Sequence, residues 1–188
     1  MYKLWLKKLK LNYDAEVLDI VQFGSSVFEN SNPNDIDIAV IFNNIPLDNQ
    51  LKEAQKIKFQ IEKKIDLAVH VKSFDMHSFF DKGNFAKEAI LVYGKSLISQ
   101  NNFAEKFNLS PKIRIIYELK HLEKKEKIRF NYLLSGRGNK YGLLKKYGGA
   151  IIAPSVLELP PEFENIFIKK LKEYKVKFVI SKFLEVIE

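Results

Sequence analysis

Residues 21–41 read VQFGSSVFENSNPNDIDIAVI, an apolar run, a Gly-Ser turn, a polar loop and a second apolar run carrying two aspartates. Side chains alternate faces along a strand, so Asp35 and Asp37 share one face while Ile36 and Ile38 share the other. One face is core and the other is a carboxylate pair. Like charges this close repel unless a cation lies between them, and hard oxygen donors suit magnesium or manganese.

Immediately upstream, Val17–Phe23 (VLDIVQF) is rich in strand formers and stops at Gly24-Ser25. A glycine there lets backbone approach a phosphate closely, and Ser25 offers N–H and hydroxyl donors, most usefully where a helix begins. The asparagine- and proline-rich stretch 30–34 reverses the chain into the aspartate strand. Gly24, Ser25, Asp35 and Asp37 together describe a site for a metal-bound triphosphate.

Gly-Ser, a spacer, then Asp-x-Asp inside a hydrophobic strand resembles the signature of the minimal nucleotidyltransferases of the DNA polymerase beta superfamily. The resemblance covers residues 15–98 and includes EAILVYGKSLI at 88–98. It implies an α/β (α+β) domain whose mixed sheet is flanked by helices. The activity it implies is metal-dependent transfer of a nucleoside monophosphate from an NTP, ATP as the expected donor, to an acceptor hydroxyl with release of pyrophosphate. Two Mg2+ (or Mn2+) ions would be held by Asp35, Asp37 and a third carboxylate on a neighbouring strand. KIDLAVHV at 64–71 offers Asp66 for that role, after an amphipathic helix over 48–64 with Asp48 as its N-cap and Leu51, Ala54, Ile57 and Ile61 on its apolar stripe. Many minimal members place an arginine soon after Gly-Ser; this chain reads Ser26-Val27-Phe28-Glu29-Asn30. A nucleotide-binding module without turnover therefore stands as the alternative, as does an antitoxin-like enzyme that modifies a protein hydroxyl.

His70 shares the Asp66 face but lies four residues on, about 13 Å along an extended strand, which separates it from the metal. His77 and His121 have no partner at ligand spacing, and ordinary polar roles are expected for all three.

The chain has 188 residues, 46% of them hydrophobic, and a formal charge of +8. It has no cysteine, which excludes disulfides and thiolate metal sites. No apolar run reaches the length of a membrane span and the lysine-interrupted N-terminus is unlike a signal peptide, so a cytoplasmic protein without a membrane partner is expected. Residues 1–104 hold 13 basic and 13 acidic side chains, whereas 105–188 hold 18 and 10. The whole excess is in the second half, and such a field attracts polyanions, nucleic acid or the triphosphate itself, unless it is simply a solvated basic face.

The polar stretch 99–108 marks a boundary between a domain at 1–104 and a small basic α+β domain at 105–188. Expected elsewhere are a helix over 2–11, where Leu4, Leu6, Leu9 and Leu11 also fit a strand period, a helix start at Ser25 or Ser26, a short helix over 74–81 capped by Ser73, and a helix over 85–92 ending at Gly94. In the second half, Ser110-Pro111 reads as a helix start followed by one long or two shorter helices. GRGNKYG at 136–142 is a glycine-punctuated basic loop in which Arg137 and Lys140 are candidate phosphate or nucleic-acid contacts. Two short strands around Pro154-Ser155, a helix over 161–174 and a strand over 176–187 complete the pattern.

Overall fold

Val17–Phe23 (β1) and Asp35–Phe42 (β2) pair antiparallel, joined by a 3-10 turn at Gly24–Val27. This is a computed structural model, and it describes residues 9–138 and 140–187. After β2 the chain forms α1 (Leu47–Glu62) and returns as β3 (Ala68–Asp75), parallel to β2. Then come α2 (Met76–Phe80), α3 (Lys87–Tyr93) and the short β4 (Lys95–Ser96), which pairs antiparallel with β1. The sheet order is β3-β2-β1-β4, a mixed sheet with helices on both faces.

Alternation on β2 divides the core. Ile36, Ile38, Val40 and Phe42 pack with Ala54, Ile57 and Ile61 of α1, while Ala39 and Ile41 pack with Phe79, Ile90 and Phe103 on the other face. On that second face the first two positions of β2 are Asp35 and Asp37, so the apolar cover begins only at Ala39. The open end of one sheet face is where the carboxylates stand.

The contact pattern divides the chain into one unit of Met1–Ser110 with Ile187–Glu188 and another of Pro111–Val186. The boundary thus falls later than residue 104. The stretch 99–108 is tied into the first unit by a 3-10 turn, Phe103–Phe107, with Phe103 and Ala104 buried and Phe103 N–H bonded to Gly94 C=O.

Leu109–Glu118 (β5), which belongs to the second unit from Pro111 on, is a strand where a helix was expected. Pro111, Ile113, Ile115 and Tyr117 are buried in strict alternation, and β-branched isoleucines suit a pleated surface. Ile113 and Ile116 also fit helical spacing, but Ile116 is exposed. The helix α4 occupies only Lys124–Ser135 and opens with a capping box between Glu123 and Glu126. The glycine-rich loop is a hairpin of β6 (Gly136–Arg137) and β7 (Lys140–Tyr141), followed by α5 (Leu143–Tyr147). β8 (Ala150–Ala153) and β9 (Val156–Leu159) form the hairpin expected around Pro154-Ser155. A 3-10 turn at Pro161–Phe163, α6 (Glu164–Glu173) and β10 (Lys177–Val186) finish a sheet of order β10-β5-β9-β8. Phe130 of α4 meets Tyr117 of β5 and Tyr174 at ring separations of 5.5 and 5.6 Å, fixing helices to sheet.

Smaller departures have local causes. The first helical turn after β3 is capped by Asp75, whose side chain accepts from Ser78 N–H, rather than by Ser73, which lies within the strand. Helix α1 starts at Leu47 with no side-chain cap, and its buried stripe is Gln50, Ala54, Ile57 and Ile61, with Leu51 outside. The helix expected over 2–11 lies outside the described residues up to position 8; residues 9–11 are not helical, and Leu9 and Leu11 pack against the α1-side core. Among the described residues no helix is long and apolar enough to cross a membrane.

Candidate functional site

The β1–β2 register sets Phe23 opposite Asp37, which brings the turn residue Gly24 against the second aspartate. Gly24 has φ +74°, and a Cβ at that position would lie 2.3 Å from Asp37 Oδ2. The turn and the carboxylate therefore fit together only because residue 24 has no side chain. Ser25 follows, exposed at the start of the 3-10 turn. Ser26 is buried instead, its hydroxyl donating to Phe23 C=O and accepting from Gln22 Nε2. Of the two serines, only Ser25 faces solvent at the site.

Asp35 and Asp37 are about one-third exposed, with side-chain values of 37% and 31%. Burial first, then the Asp35 charge, pushes the Asp37 carboxyl above the ordinary aspartate range; His70 and Lys72 pull it the other way. A half-desolvated carboxylate beside a like charge favours any cation that reaches it.

The third carboxylate is not where the sequence suggested. Strand β3 begins at Ala68, so Asp66 lies before it, exposed in the bend that leaves α1. The parallel register places Ala68 beside Asp35 and His70 beside Asp37. His70 Nδ1 is 3.4 Å from Asp35 Oδ2 and 3.9 Å from Asp37 Oδ1. The histidine set apart from the site on the strength of its distance from Asp66 is thus the residue that joins the pair. Lys72, one alternation further along the same face, adds a positive charge that bears on Asp37. The available signal was that 66, 68, 70 and 72 share a face; which of them meets Asp37 depends on the pairing of two separate strands.

Among the described residues no group of three or more His, Asp or Glu side chains is arranged to hold a metal ion. Two carboxylates are nevertheless a common protein contribution to magnesium, whose other positions are filled by water and substrate phosphate oxygens. The donor set fits one such ion. It does not fit a second ion that would need Asp66.

No protein-family model, curated protein or solved structure matches this chain.

Of the remaining sequence candidates, Arg137 and Lys140 face each other across the β6–β7 hairpin of the second unit, both exposed. His77 is an exposed residue of α2, and His121 Nε2 is 2.8 Å from Lys175 C=O. Lys106, in the basic half at 105–188, belongs to the first unit: its Nζ is 2.9 Å from Oδ2 of the fully buried Asp19.

Proposed function

We propose that the first unit is a nucleotidyltransferase of the polymerase-beta type, which binds a nucleoside triphosphate, ATP as the expected donor, and transfers its nucleoside monophosphate to an acceptor hydroxyl. The observation that carries this reading is the seat of Asp37 on Gly24, at the uncovered end of the sheet face that also bears Asp35. A phosphate entering there meets the half-buried Gly24, the exposed Ser25 and two carboxylates together.

In the transfer, the acceptor hydroxyl gives up its proton to solvent, its oxygen bonds to the α-phosphorus, the bond to the bridging oxygen breaks and pyrophosphate leaves. A divalent ion bound with the triphosphate would offset the charge that develops on the attacking and leaving oxygens. Asp35 and Asp37 would hold that ion, and Gly24 and Ser25 would position phosphate oxygens through N–H and hydroxyl donors. Lys72 supplies on β3 a cation that the turn after Gly-Ser lacks. Asp66, in this arrangement, lies before the strand that would have to present it.

The basic second unit favours a polyanionic acceptor, a nucleic-acid end ahead of a protein or small-molecule hydroxyl. A second reading, nucleotide binding without turnover, is favoured by His70 occupying the position beside Asp37.

Labelled nucleoside triphosphates incubated with Mg2+ or Mn2+ and with RNA, DNA or lysate as acceptor decide between them. Pyrophosphate release and label transfer that vanish in Asp35→Asn/Asp37→Asn establish the enzyme. Nucleotide binding without release in every acceptor pool establishes the binding module.

A further inference from the structure

Between Lys124 and Tyr147 the second unit has eight Lys or Arg residues and one acidic residue, Glu126. Elsewhere in the same unit several cations are neutralised, Arg114 by Glu158, Lys112 by Glu185 and Lys170 by Glu173, and the unpaired ones are spread over a longer stretch that carries more acidic residues. Among the described residues none of the eight is in an ion pair. The uncompensated charge is concentrated on one helix–hairpin–helix segment.

Its geometry makes a strip. Helix α4 buries Phe130 and Leu134, and the spacing of an α-helix then gathers Lys125, Arg129 and Tyr132 on the exposed side. Gly136, at φ +90°, turns the chain into the hairpin, where Arg137 and Lys140 stand opposite each other. The Arg137 guanidinium lies over the Tyr132 ring at 5.1 Å, which joins helix and hairpin into one surface. Tyr132 itself is 43% exposed.

We propose that this strip, Lys125, Arg129, Tyr132, Arg137 and Lys140, binds single-stranded nucleic acid. Unpaired cations in a row attract a phosphate backbone. An exposed aromatic ring set among them is the stacking platform that unpaired bases use, and every base has a face to offer it. A duplex keeps its bases stacked on one another and leaves Tyr132 without a partner. An acidic protein would engage the cations but has no need of the ring. The assignment is a binding property of the second unit and stands whether or not the first unit transfers nucleotides.

The test uses the full chain and short fluorescent RNA and DNA strands of mixed sequence, read by anisotropy across a salt series, with duplex, heparin and polyglutamate as competitors. Single strands should bind in preference to duplex, and removing three cations in Arg129→Ala/Arg137→Ala/Lys140→Ala should flatten the log–log salt slope by about 2, at roughly 0.7 per phosphate contact. Tyr132→Ala should weaken single-strand binding by about five- to a hundredfold while heparin binding stays as it was, and Tyr132→Phe should retain the parent affinity. Since Tyr132 is exposed, both variants are expected to fold, with circular dichroism as the check. Equal affinity for duplex, heparin or polyglutamate, or an unaffected Tyr132→Ala variant, would overturn the proposal. Failure of nucleotide transfer in the pyrophosphate assay bears only on the first unit.

Discussion

His70 stands beside Asp37 across the parallel β2–β3 pair, with its Nδ1 3.4 Å from Asp35 Oδ2 and 3.9 Å from Asp37 Oδ1. An imidazole therefore occupies the sheet position from which a third carboxylate would face the pair. The exchange is testable in the direction of gain. His70→Asp should lose about 0.2–1 kcal/mol of stability without divalent ions, because like charges then face each other across the strands. Mg2+ at ten times its Kd should return about 1.4 kcal/mol by mass action. Chemical denaturation with and without Mg2+ measures both; a variant no more responsive to Mg2+ than the parent would show that position 70 is no ligand position.

Gly24 meets two constraints at once, a left-handed backbone and contact with Asp37 Oδ2. Gly24→Ala should cost about 1–3 kcal/mol through backbone strain alone and weaken nucleotide binding by pushing the carboxylate aside. Gly83 is the control: a Cβ there meets nothing within 4 Å and its φ is not in the left-handed range. Gly83→Ala should be neutral or stabilise by up to about 1 kcal/mol through the unfolded chain. Equal losses in the two variants would remove the steric argument for Gly24.

Burial and Asp35 raise the Asp37 pKa in the folded protein. Between the ordinary aspartate value and the raised one, the native state binds more protons than the unfolded state, so stability falls as pH rises through that window. Asp37→Asn removes the titrating group. The variant should match or exceed the parent in stability at neutral pH and should lack this acid-side component in urea midpoints taken across pH. A parent whose midpoint rises steadily through the same window, and a variant that tracks it, would contradict the assignment.

Asp19 is fully buried in β1; its Oδ1 accepts from Ser96 Oγ and Ile20 N–H, and its Oδ2 meets the Lys106 ammonium at 2.9 Å. Lys106→Met leaves that charge without its counter-ion. A buried pair broken in this way costs about 3–5 kcal/mol, and the partial exposure of Lys106 places the expected loss near the lower end. Asp19→Asn combined with Lys106→Met should recover part of it. Thermal melts of the single and double variants give the coupling directly, and additive losses would show the two residues to be independent.

The two halves of the chain differed in how far they could be read. Val17–Phe23 was legible to the residue because its apolar run stops at a glycine, and the α1 stripe because Ala54, Ile57 and Ile61 fit one face. Leu109–Glu118 is ambiguous in sequence, because Ile113 and Ile116 satisfy a helical period as well as Ile113, Ile115 and Tyr117 satisfy a strand period. The pairing of Ile113–Ile116 with Val156–Leu159 decides between them, and that partner lies some forty residues downstream.

What the sequence determined by itself was the side of β2 on which Asp35 and Asp37 stand, since alternation follows from covalent geometry within one strand. It also determined that a glycine would sit where β1 ends. Only the tertiary structure decided which residues face them. The register of β3 on β2 depends on where α1 ends and how the bend at 65–67 returns the chain, so His70 and not Asp66 lies beside Asp37. A shift of four residues along a strand conserves the face and exchanges the neighbour. Local alternation cannot register that difference, and the pairing of distant strands settles it.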